Sequence, residues 1–137
     1  MPKVVRRFSA FFTILLLWQL VSAVPDSLDR PAYGVGTLVG FSLWAALGIA
    51  AVRGFEGARK AIVFLTCLGL GACAIATFSG VVVLAQTKEP LVVFVLAFAL
   101  IKAFVCVGVL MSAAHEDFRA WVVHKGVERA NAKYALA

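Results

Sequence analysis

Residues 91–114 read LVVFVLAFALIKAFVCVGVLMSAA, twenty-four in a row with a single charge, Lys102, near the middle. At about 1.5 Å of rise per residue, a helix of this length crosses the roughly 30 Å hydrocarbon layer of a bilayer. Three more stretches meet or approach that length: Phe8 to Val24 (17 residues), Tyr33 to Val52 (20) and Ala61 to Gln86 (26). All four are continuously apolar. They lack the alternation of lipid-facing and lumen-facing residues found in barrel strands, so they are expected to span as helices.

Composition agrees. Of 137 residues, 63% are hydrophobic and 15% charged, against about 45–50% and about 25% in soluble domains. So small a chain cannot hide that excess in a core, which argues against a soluble globular enzyme, and disorder needs the opposite balance. Turn chemistry separates the runs at Pro25-Asp26-Ser27, Arg30-Pro31, Arg53-Gly54 and Lys88-Glu89-Pro90. Connections this short oblige neighbouring helices to run antiparallel. The expected fold is an all-α integral membrane protein: residues 1–114 an antiparallel four-transmembrane-helix bundle, residues 115–137 a cytoplasmic amphipathic tail.

Cation placement predicts orientation. Ten of the thirteen Lys and Arg residues fall on one side, in the N-terminus (Lys3, Arg6, Arg7), the second loop (Arg53, Arg59, Lys60) and the tail (Arg119, Lys125, Arg129, Lys133). The other side has Arg30 and Lys88. The positive-inside rule therefore puts both termini in the cytoplasm, and economy of loops suggests a bacterial inner membrane. The first stretch also has the layout of a signal peptide, with Val21-Ser22-Ala23 resembling a cleavage site; we expect a retained helix, and cleavage would leave the other three spans in place. Insertion polarity alone accounts for the net charge of +6, so no nucleic-acid partner is expected.

Lipid is as apolar as leucine, so helices associate where small residues permit close approach. Gly36 and Gly40 in the second span, and Ala72, Ala76 and Gly80 in the third, are the expected packing positions, placing these two helices at the centre. The first span, with Phe8, Phe11, Phe12 and Trp18, is expected outside. In the tail, Ala120, Val123, Val127, Ala130 and Tyr134 recur at helical spacing, weakened by Gly126. Arg119, Lys125, Arg129 and Lys133 on its other faces suit an anionic lipid surface.

Familiar membrane chemistries lack their residues. Cys67, Cys73 and Cys106 all lie within spans, whereas a disulfide carrier needs loop cysteines; they read as small hydrophobes. The two histidines, His115 and His124, sit at or beyond the last span, so neither haem nor metal is expected. No carboxylate occurs within any span, which disfavours a proton-coupled exporter. His115-Glu116-Asp117 is the one polar cluster near an interface, and it reads as a solvated helix cap.

Lys102 demands an account. It lies about 16 Å from one end of its span and about 18 Å from the other, beyond the roughly 6 Å its stem can snorkel. Counting from span ends puts Trp18 or Gln19, Ser42 or Trp44, and Cys73 or Thr77 at the same depth; of these, Gln19 and Trp44 are the expected neighbours. The amine is neutral, or pairs with an acid of another membrane protein or a lipid phosphate, or lines an anion path. Two functions follow. The first is a small non-enzymatic accessory or protective subunit, for example an immunity or complex-stabilising protein, binding another integral membrane protein through helix faces. The second is a small self-associating transporter or channel for an anion or lipid headgroup. No cofactor is expected, and membrane lipids are expected partners of either.

Overall fold

The computed structural model describes residues 2–29, 31–87 and 90–135, with side chains for 2–21, 35–87 and 90–134. The described residues are all-helical, with no strand: α1 (Lys3–Asp29), α2 (Pro31–Val52), α3 (Glu56–Thr87), α4 (Pro90–Ala114) and α5 (Glu116–Ala135). The first four are long and apolar enough to cross a membrane. Pro31 and Pro90 open α2 and α4, where the missing N–H is lost at no cost and the fixed φ already suits a helix. Glu56 and Glu116-Asp117 place negative charge in the first turns of α3 and α5, favourable at the positive end of the helix dipole.

One expected break is absent. Pro25-Asp26-Ser27 lies inside α1, which continues to Asp29, because a proline removes one backbone hydrogen bond without obliging a long apolar helix to stop. Arg30, Lys88 and Glu89 lie outside the described residues. The break at Arg53-Gly54 is a Schellman cap. The Phe55 N–H donates to Ala50 O and the Gly54 N–H to Ala51 O, both at 3.0 Å, with Gly54 at φ 90°, the left-handed conformation glycine adopts without strain.

Helix α1 packs on α2 and α4, and α3 packs on α2 and α4. Contrary to expectation, α1 lies in the core: Val5, Phe8, Phe12 and Leu15 are buried together with Ala51, Ile62, Val105, Cys106, Val109, Ala113, Phe118 and Val122. The reason lies in the glycines facing it. A Cβ on Gly48 would overlap the Phe12 ring, and one on Gly108 would come within 2.7 Å of Phe11. The bulky residues of α1 thus fill hollows on α2 and α4. Gly36 and Gly40 have nothing within 4 Å of where a Cβ would sit, so among the described residues they pack against nothing, whereas Gly80 sits against Leu96.

Helix α5 folds back across one end of these helices. Its Phe118, fully buried, places its ring 4.8 Å from that of Phe8. The stripe expected to be its apolar face is exposed, Val123 and Val127 at 55% and 54% and Tyr134 at 81%, and among the described residues it packs on no other helix of the bundle core. Phe118 and Val122, one turn apart, are the docked face.

Candidate functional site

Lys102 is the middle residue of the 25-residue α4. Along the side of α4 that carries it, Val105, Cys106 and Val109 run into the core. Towards Pro90 the same side leaves the core, and Val95, Phe98, Ala99 and Lys102 line a groove of about 570 Å³ between α3 and α4. Gly69, Ala72, Cys73 and Ala76 supply the α3 side, and Trp18 of α1 closes one wall. The Trp18 and Phe98 rings meet at 4.0 Å between centroids.

The groove is apolar except for the amine. Lys102 is only half-buried, and none of the described carboxylates forms an ion pair with it. Of the neighbours expected from depth, Trp18 and Cys73 share the groove. Trp44 does not: its ring lies 5.8 Å from that of Phe12, within the core. Gln19 is half-buried on α1 beside Trp18 and does not line the groove. Ala72 and Ala76 line the groove rather than a seam between helices of this chain.

A second set of polar contacts gathers where α5 crosses. Arg59, on the first turn of α3, holds Glu56 with two bonds, Nη2 to Oε1 at 2.7 Å and Nε to Oε2 at 3.0 Å. Its Nη1 donates to Ala113 O at 2.8 Å, satisfying a carbonyl that the end of α4 would otherwise leave unpaired. The hydrogen bonds and charge of Arg59, helped by Lys60 and Arg119, hold the Glu56 carboxyl below its ordinary value, and Glu56 in turn raises the Arg59 guanidinium. On α5, the Trp121 indole donates to Val52 O at 3.2 Å, and Arg129 donates to Gly54 O while its guanidinium lies 3.7 Å from the Phe55 ring centroid.

These contacts fix one face of the tail. Of its four cations, Arg119, Arg129 and Lys133 are exposed and Lys125 is half-buried. Arg129 also meets the α2–α3 turn, and Lys125 lies over the Trp121 ring at 5.1 Å and pairs with Glu128. That pairing, with help from His124, lowers the Glu128 carboxyl. Gly126 is where the Gly54 carbonyl approaches, at 3.7 Å from a Cβ built there. His115 links α4 to α5, its Nδ1 accepting the Asp117 N–H at 3.2 Å, a side-chain cap on the first turn. Sequence reasoning missed Arg59, Phe118 and Trp121. The spacing of Phe118, Trp121 and Val122 was the available signal, but it competed with a longer stripe on the opposite face.

Cys73 and Cys106 are buried and Cys67 faces outward, all three as free thiols. Among the described residues no three His, Cys, Asp or Glu side chains come together as a metal cage would require. Comparison with protein-family models, curated proteins and solved structures finds no match to this chain.

Proposed function

We propose that this chain is a four-pass protein of a bacterial cytoplasmic membrane, its long helices an antiparallel bundle with both termini and α5 on the cytoplasmic side. There it serves as a small non-enzymatic accessory or protective subunit that recognises another integral membrane protein through helix faces. Large apolar side chains point outward along its length, among them Phe64, Ile75, Phe78, Phe94, Phe104 and Met111, a surface that water disfavours and lipid accepts. The bias of cations towards the α5 end supports the orientation.

The observation that carries the subunit reading is the placement of Lys102. It lines a groove between α3 and α4 that is walled by Trp18 of α1, on the side of α4 that runs into the core further along, and such residues are retained in membrane helices where something polar meets them. Tagged protein extracted from its native membrane in mild detergent is expected to bring down one other membrane protein in near-stoichiometric amount. Recovery of the chain alone, from several detergents, refutes the subunit reading; release from the membrane fraction without detergent refutes the four-pass reading itself.

A further inference from the structure

We infer that the groove beside Lys102 seats one transmembrane helix of a different polypeptide, and that this helix carries a single carboxylate, Asp or Glu, near its middle. The inference rests on the proposed membrane-subunit function and specifies its partner.

Charge identifies the occupant. Lys102 is at the centre of α4, about 18 Å from either end, and its stem reaches about 6 Å. Headgroup phosphates lie beyond that reach, as do carboxylates in loops. A second copy of this chain cannot answer the charge, because no Asp or Glu occurs in residues 8–24, 33–52, 61–86 or 91–114. It would bring another lysine to the same depth. For the amine to be met as an ion pair, the complementary group comes from a foreign helix, with its acid about 12 residues from each end of the span.

Shape agrees with charge. Gly69, Ala72, Cys73 and Ala76 recur at three- and four-residue spacing on the α3 side, and Ala99 faces them from α4. A floor without long side chains lets a second backbone approach closely, which is how helices gain contact in lipid. Trp18 and Phe98, in ring contact, form a wall beside which the incoming carboxylate meets the amine. An acyl chain would fill the apolar part and leave the charge unmet.

The test places a photo-reactive amino acid at Ala76 or Phe98 in the full chain in its native membrane, with Phe78, outside the groove, as control. Adducts at both groove positions to one membrane polypeptide are expected, mapped to a helix with a mid-span Asp or Glu. Lys102→Leu should reduce recovery of that polypeptide by about tenfold or more. Lys102→Asp should abolish it, and lysine in place of the partner's acid should restore it. Lys102→Leu also takes a charge out of hydrocarbon, so its thermal stability in detergent should equal or exceed that of the unsubstituted chain. If it does not, Ala76→Leu, which fills the exposed floor without touching the charge, must give the same loss of partner. Adducts to lipid alone, to a second copy alone, or to no protein overturn the inference. So does undiminished recovery with Lys102→Leu, although a partner that still co-purifies leaves the subunit function standing. Purification of the chain alone overturns both.

Discussion

Replacing Gly54 by alanine should unseat α5. At φ 90° an alanine pays about 1–2 kcal/mol for the left-handed backbone. Its Cβ would also lie 2.5 Å from the Lys125 Cβ, 3.0 Å from Val122 O and 3.2 Å from the Gly126 N. Two of these are backbone atoms of α5, so the overlap is relieved only by moving that helix. Movement strains the Trp121 bond to Val52 O and the Arg129 bond to Gly54 O, worth about 0.5–1.5 and about 1.5–3 kcal/mol for neutral and charged donors. Together the loss is about 3–6 kcal/mol, or roughly 10–20 °C in Tm for a domain of this size. A thiol-reactive fluorogenic dye in detergent reads it directly: Cys67 is exposed and sets the baseline, while buried Cys73 and Cys106 report unfolding. Trypsin cleavage after Lys125 and Arg129 should accelerate in parallel. Gly54→Asn separates the causes, because asparagine tolerates the backbone but still meets α5. A wild-type Tm for Gly54→Asn would show that crowding plays no part, and a wild-type Tm for Gly54→Ala would refute the seat altogether.

Three further outcomes are expected. Phe118→Ala removes a fully buried ring that packs on Phe8 and should cost about 3–5 kcal/mol, visible in the same dye assay; an unchanged melt would place α5 elsewhere. Gly36→Ala and Gly40→Ala meet open space, so each should leave stability unchanged or raise it by about 0.5–1 kcal/mol, and a marked fall in Tm of the isolated chain would contradict their position. Glu56 has its carboxyl lowered by Arg59, so the pair's stabilisation is fully present above the unfolded carboxyl value near 4.5 and is lost as pH falls through the lower folded one. Melting temperature should therefore decline below about pH 4.5 with a component that Glu56→Gln abolishes; identical acid profiles for the two proteins would deny the ion pair that role.

The four long helices were legible because apolar length is a strong signal, and the Arg53-Gly54 turn because few residues other than glycine accept its backbone. Which face of each helix meets protein was not legible. In these helices the outward side chains, such as Phe94 and Phe104, are as apolar as the buried ones, such as Phe8 and Phe12, so hydropathy has no contrast to read. Size complementarity decided instead: Phe11 and Phe12 settle over Gly108 and Gly48, partners far apart in sequence. The position of Lys102 at mid-helix followed from counting residues, but its groove did not. Depth alone admitted Trp18 or Gln19 and Ser42 or Trp44, and helix rotation chose Trp18 while turning Trp44 towards Phe12. In the tail, the stripe of Val123, Val127 and Tyr134 was legible, whereas the docked pair Phe118 and Val122 depends on Phe8 and the Gly54 turn, both far away in sequence.

The contact between Phe8 and Phe118 also imposes a timetable. A ribosome makes the first ring long before the second, so Phe8 emerges with its eventual cover still untranslated. Until Phe118, Trp121 and Arg129 emerge, the carbonyls of Val52 and Gly54 have no indole or guanidinium to meet. A chain that ends before that point is left with an unlatched end.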